Sequence, residues 1–191
     1  MRNSVTRSPV RTLNSLCRAT KGGLANVPPS TLLATVLRAC IQLKSIDTLS
    51  NNNKIFLEPA HVQDICVGSV LCPASGAASM RMAQLSAGFP STVPIHLVNR
   101  QCSSGLQAVA IIADAIANGT ISIGIGAGVE SMSSHPMNKI PKPDVDWQVM
   151  KSFPEAMECI IPMGITSENI SKLYNLDRTT LDKFAAKSHY R

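Results

Sequence analysis

The sequence predicts an α/β fold in which a largely parallel sheet is covered by helices on both faces, and three observations carry that expectation. Runs rich in β-branched and small apolar residues at 64–71, 92–101 and 121–133 read as strands buried on both sides, since none alternates polar with apolar. Two intervening segments, 73–90 and 102–119, are instead suited to helices. The order strand, helix, strand, helix, strand is that of parallel crossover connections.

Each element has a local reason. Residues 1–46 hold seven basic residues and no acid, whereas 47–191 hold eleven basic and twelve acidic, so the formal charge of +6 is +7 in the first quarter and −1 in the rest. An Arg-, Ser- and Thr-rich start without acids has the composition of an organelle transit peptide, and it equally suits a solvated arm or part of the fold. In "PPSTLLATVLRACIQLKSI" (28–46), two prolines and Ser30 open a helix whose Leu32, Leu33, Val36, Leu37, Cys40 and Ile41 recur at helical spacing. "NNNK" (51–54) reads as a loop and "DICVGSVL" (64–71) as a buried strand. The Gly-, Ala- and Ser-rich 73–90 suits a closely packed helix, and "TVPIHLVNRQ" (92–101) the next strand. In "CSSGLQAVAIIADAIANG" the stripe Leu106, Val109, Ala110, Ala113, Ile116 and Ala117 predicts a core-facing helix stopped by Asn118 and Gly119. "ISIGIGAGVESMS" (121–133) is the last strand, its glycines allowing close backbone approach. From residue 134 the chain turns Pro-rich and polar, with two short helices, one near 166–174 and one capped by Asp177. The second is still amphipathic at Arg191, which reads as a cut.

Composition narrows the function classes. Aromatic residues are 4% of the chain and the basic excess is confined to its start, so an aromatic-laced basic face for nucleic acid is not expected. No run approaches the ~18 apolar residues of a membrane span. The six cysteines include no CxxC pair, which removes zinc-knuckle spacing, and most sit in apolar context as reduced thiols.

Cys102 stands apart. At a strand-to-helix turn it lies where unpaired N–H groups and the positive end of the helix dipole favour thiolate over thiol, and the thiolate is the nucleophile. Ser103 and Ser104 suit helix capping, and Gly105 suits close approach of another backbone. The alternative is a buried structural cysteine. Of the four histidines, His96 is six extended residues away, roughly 20 Å, and is not a partner from there. His61 and His189 suit exposed positions. His135 follows the last strand, where parallel sheets place their sites.

"VNRQCSSGLQAVA" (98–110) resembles the nucleophile motif of the thiolases, the acetyl-CoA acyltransferases. "RSPV" (7–10), "KGGLANVPPSTLLATVL" (21–37), "DICVGSVLCP" (64–73), "GVESMS" (128–133) and "PMGITSENI" (162–170) agree with the same family in order. The wording is most similar to the peroxisomal 3-ketoacyl-CoA branch. The resemblance implies a layered fold of two similar α/β halves with an inserted loop domain that helps hold CoA, of which this chain would carry the N-terminal half and part of the loop domain. The implied domains are a basic segment (1–20), the α/β domain with the nucleophile (21–133) and the start of the loop domain (134–191). Cys102 matches the thiol that becomes acylated. Met163 and Gly164 match a turn lining the substrate tunnel, with Pro162 where the family often has histidine.

The resemblance further implies thiolytic cleavage of 3-oxoacyl-CoA in fatty acid β-oxidation. CoA and acyl-CoA would be substrates with no cofactor or metal, the assembly a homodimer, and the compartment the peroxisome, although a mitochondrial or cytoplasmic site is the alternative. The family's Gly-His-Pro histidine, Asn-containing motif and second, Gly-flanked cysteine do not occur among these residues. "SHP" at 134–136 imitates the first of them in the wrong half, so His135 does not inherit its role. The spacing between RSPV and KGG is longer than in the family. Two alternatives follow: a non-catalytic truncated fragment or dimer partner, and a ketoacyl-synthase-type condensing enzyme.

Overall fold

The computed structural model describes residues 23–42, 46–47, 54–55, 58–139 and 143–190. The expected basic segment 1–20, "RSPV", Cys17 and the asparagines 51–53 lie outside the described residues. The chain divides into two units, Met1–Ile140 and Pro141–Arg191.

The first unit begins with α1 (Pro29–Gln42), followed by the two-residue antiparallel pair β1 (Ile46–Asp47) and β2 (Lys54–Ile55). Its main sheet comprises β3 (Asp64–Gly68), β4 (Ile95–Val98) and β5 (Gly124–Gly128), with α2 (Ala77–Ser86) and α3 (Ser104–Ala117) as the crossovers. The strand order is β4-β3-β5 and both pairings are parallel, as expected. Lys54, expected in a loop, pairs with Asp47 instead.

The central place of β3 explains its unbroken apolar run: alternate residues enter different cores. Ile65 and Val67 join Leu33 and Leu37 of α1, Met80 and Ala83 of α2, Phe89 and Val93 in one buried cluster. Cys66 joins Ala108 and Ile112 of α3 in the other. Leu33, Leu37 and Ile65 are fully buried, each burial contributing about 1.5–3 kcal/mol. The approach to β4 is fixed by α2 itself. Gln84, fully buried, donates Nε2 to the Val93 carbonyl at 2.8 Å and accepts from Arg81 at 2.6 Å, while Arg81 also donates to the Ser91 carbonyl at 2.6 Å.

Several boundaries and one face differ from expectation. Each main strand is shorter than its apolar run, because the flanking residues turn into loops that leave the ladder. On α3 the buried residues are Ser104, Ala108 and Ile112, whereas Leu106 is 74% exposed and Val109 41%. This helix is apolar nearly all round, so spacing alone does not choose the face that meets the sheet. Glycine chooses it: a Cβ on Gly126 would lie 2.7 Å from the Val109 Cα, so α3 rests on β5 where the strand has no side chain.

The second unit holds α4 (Trp147–Met150), α5 (Pro154–Glu158), α6 (Met163–Leu173) and α7 (Arg178–His189). Asp177 caps α7 as expected, accepting from the Thr180 N–H at 2.7 Å, and those hydrogen bonds hold its carboxyl below the ordinary value. None of the described residues of this unit is fully buried. Among the described residues no helix is long and apolar enough to cross a membrane, and no group of three or more His, Cys, Asp or Glu could hold a metal.

Candidate active site

The carboxyl ends of β3, β4 and β5 gather three loops on one edge of the sheet, the edge at which open α/β sheets bind ligands. After β4 the chain passes through Asn99 and Arg100 and reverses at Gln101, whose φ of +49° is left-handed. Cys102 follows, exposed, one residue before the N-cap Ser103 of α3. A non-glycine residue in that region costs about 1 kcal/mol or more, and it persists only where its surroundings enforce it.

Ser104 supplies the enforcement. Its side chain is nearly buried, at 4% exposure, and its Oγ accepts the Arg100 N–H at 2.9 Å while its hydroxyl donates to the Gln101 carbonyl at 2.6 Å. Asn99 adds a second tie, its Oδ1 accepting the Gln101 N–H at 3.1 Å. Neither serine caps α3 in the expected way: Ser103 makes no side-chain cap hydrogen bond, and the Ser104 hydroxyl reaches back into the turn.

The neighbouring loops are tied to the same edge. The Glu130 carboxylate, just past β5, accepts the Val70 N–H at 2.8 Å and the Leu71 N–H at 3.3 Å, just past β3. Gly68 closes the floor, since a Cβ there would lie 2.4 Å from the Ser104 carbonyl carbon. Gly105, expected to admit another backbone, is the reverse case: a Cβ on it would meet nothing within 4 Å. The close approach is made by its backbone to Gly68 and Gly128. Sequence patterns signalled Cys102 and read Ser104 as a helix cap, but missed Asn99 and Glu130, whose partners are backbone groups; a lone acid just past an apolar strand was the available cue for Glu130.

The thiols are sharply different. Cys66, fully buried under α3, is pushed up to about 11 by burial and then by the Asp64 carboxylate. Burial also raises Cys40. Most cysteines were expected in apolar surroundings, yet among the described residues Cys102 and Cys159 are exposed. Among the histidines, His96 Nδ1 lies 3.3 Å from Asp64 Oδ1 near the amino ends of the strands, away from Cys102. His135 is at the carboxyl edge, its N–H donating to the Ser131 carbonyl at 2.9 Å and its Nδ1 buried without a partner among the described residues. His61 and His189 are exposed. Met163 and Gly164 form the first turn of α6 in the second unit, where Met163 is 66% exposed and a Cβ on Gly164 would meet nothing within 4 Å.

The family model for the thiolase N-terminal domain matches residues 10–191. The chain belongs to the thiolase family. It is 48% identical over 176 residues to peroxisomal 3-ketoacyl-CoA thiolase 1 of Arabidopsis thaliana, a match covering 92% of this chain and 37% of that protein. The dimeric peroxisomal thiolase of Saccharomyces cerevisiae superposes with a TM-score of 0.75 at 35% identity, over 89% of this chain and 42% of that one. A second structure of the yeast peroxisomal 3-ketoacyl-CoA thiolase, described as five-layered and built from two core domains of identical topology, gives a TM-score of 0.65 at 34% identity over the same shares. The chain thus spans a little over a third of the length of the curated thiolases it matches. The expected thiolase-like fold, in its N-terminal part, is the one observed.

Proposed function

We propose that this chain carries the acyl-accepting part of a peroxisomal-type 3-ketoacyl-CoA thiolase, with Cys102 as the nucleophile. The observation that carries the proposal is the exposed thiol directly before α3, on the carboxyl edge of the sheet, behind an enforced left-handed residue. The Cys102 thiolate forms an Sγ–C3 bond with the 3-keto carbon. The C2–C3 bond then breaks, and its electron pair leaves with acetyl-CoA as an enolate that takes up a proton. A CoA thiol next displaces the acyl group from Cys102, so CoA and acyl-CoA are substrates and no cofactor enters. In this scheme residues 21–133 are the α/β domain and 134–191 begin the loop domain, with Met163 and Gly164 on its substrate-facing turn.

General acid–base help is worth about 10²–10⁴-fold and one oxyanion-hole donor about 10²–10³-fold. Among the described residues no histidine hydrogen-bonds the Cys102 thiol, so the chain by itself is expected to acylate slowly and not to turn over. Incubation with acetoacetyl-CoA and CoA, with mass spectrometry of the protein and an assay of acetyl-CoA, checks this. An acyl adduct on Cys102 that is absent from Cys102→Ala supports the proposal, and no adduct overturns it. Sustained acetyl-CoA formation that Cys102→Ala abolishes would contradict the expected lack of turnover and turn attention to His135 as the base.

The proposal extends to a homodimer in the peroxisome, supported by the dimeric yeast relative and the names of the curated relatives. β4 is an outer strand of the described sheet, with one side of its ladder unpaired. Sedimentation of the purified chain is expected to show dimers or larger species, and a well-behaved monomer at micromolar concentration would refute that part.

A further inference from the structure

We propose that Ser104 is a positioning residue for Cys102: its hydroxyl clamps the left-handed turn that aims the thiol, rather than capping the helix. The inference rests on the assignment of Cys102 as the nucleophile and adds a residue to it. Three observations converge on Ser104. Its Oγ uses both capacities on one turn, accepting from the Arg100 N–H and donating to the Gln101 carbonyl, so it spans the residues before and at the reversal. The turn it spans contains Gln101 at φ +49°, a conformation that needs enforcement. Its own backbone is held from below, because the absent Cβ of Gly68 leaves room for the Ser104 carbonyl carbon and oxygen directly against β3. Ser104 therefore connects a fixed strand to a strained turn, and Cys102 lies exposed within the segment it spans.

A serine that only satisfied buried polar groups would contribute to stability and leave relative reactivity unchanged. A positioning serine makes a different difference. Attack on a keto carbon needs the sulfur in a defined place, and a misplacement of about 1 Å can cost roughly 10²-fold. Alkylation by a small freely diffusing electrophile has no such requirement. The two reactions at one thiol should separate when the clamp is removed.

The test uses the full 191-residue chain as wild type, Ser104→Ala, Ser104→Thr and Ser103→Ala, with amide exchange across α3 as the folding check. Two rates are read at Cys102 in each: acylation by acetoacetyl-CoA and alkylation by iodoacetamide. The expected result is a loss of about 10-fold or more in acylation for Ser104→Ala, with alkylation within about 2-fold, recovery in Ser104→Thr and no change in Ser103→Ala. If Ser104→Ala loses protection in α3, the comparison moves to Gln101→Gly with and without Ser104→Ala, since glycine removes the cost of the left-handed residue. Wild-type acylation in a folded Ser104→Ala variant overturns the inference while leaving the nucleophile assignment intact. So does an equal fall in both reactions. Absence of any acyl adduct on wild-type Cys102 overturns the nucleophile assignment and this inference with it.

Discussion

Replacing Gly68 by alanine is expected to destabilise the first unit by about 2–4 kcal/mol, while replacing Gly105 by alanine leaves it unchanged or slightly more stable. Both glycines lie at the junction of β3 with α3. A Cβ on Gly68 would lie 2.4 Å from the Ser104 carbonyl carbon and 2.5 Å from both the Ser104 oxygen and the Gly105 nitrogen. All three are backbone atoms, so no side chain can swing aside, and the amino end of α3 must lift. Lifting it breaks the Ser104 contacts to Arg100 and Gln101 and loosens the cluster of Cys66, Ala108 and Ile112. For a domain whose whole stability is about 5–15 kcal/mol, that is a large fraction. A Cβ on Gly105 meets nothing within 4 Å, and alanine there removes the backbone freedom that glycine carries in the unfolded chain. Urea midpoints of the two variants decide the matter. Equal effects, or a Gly68→Ala midpoint like that of the wild type, would show that β3 and α3 are not in the contact described.

Limited iodoacetamide at neutral pH is expected to label Cys102 at least about 10²-fold faster than Cys66. Cys66 is fully buried and pushed up to about 11, so near pH 7.5 its thiolate fraction is on the order of 10⁻³ or less before access is counted. Cys40, half-buried and raised in the same direction, should also lag. Cys159 is the demanding comparison because it too is exposed. It stands at the carboxyl end of α5 with its Sγ 3.7 Å from the Glu155 carbonyl oxygen, whereas Cys102 stands before the amino end of α3. Peptide mapping after partial alkylation reports each site, and faster labelling of Cys40, Cys66 or Cys159 would remove the special standing of Cys102. Cys66 gives a linked expectation. Because the folded state holds its thiol proton more tightly than the ordinary value of 9.0 allows, this group's contribution to stability is complete below pH 9 and is lost as pH rises toward 11. Labelling of Cys66 should therefore climb steeply across that interval.

The sequence made some of this architecture legible because certain signals are local. Prolines and Ser30 start α1 within a residue of expectation, Asp177 caps α7, and the run through Val98 followed by a helix puts Cys102 at a turn. The buried face of α3 was not legible, since Leu106 and Ala108 are both apolar and only the missing side chains of Gly68 and Gly126 on the facing strands decide which meets the sheet. Ser104 was misread for a related reason. Its spacing suits a cap, but its partners are the Gln101 carbonyl and the Arg100 N–H, and a left-handed glutamine leaves no mark in composition.

The strand in the middle of the sheet is made first and completed last. β3 must wait about thirty residues for β4 and about sixty for β5, and the Glu130 tie to Val70 also spans sixty residues. Closing such separations costs chain entropy before any pairing repays it, which makes parallel sheets slow to form. At about 5–20 residues per second of synthesis, the apolar β3 is out of the ribosome for roughly 3–12 s before β5 can join it. During that interval Ile65, Cys66 and Val67 have one open edge and one uncovered face. The segment carrying the sheet's centre is thus also the segment most exposed to wrong pairing in the newborn chain.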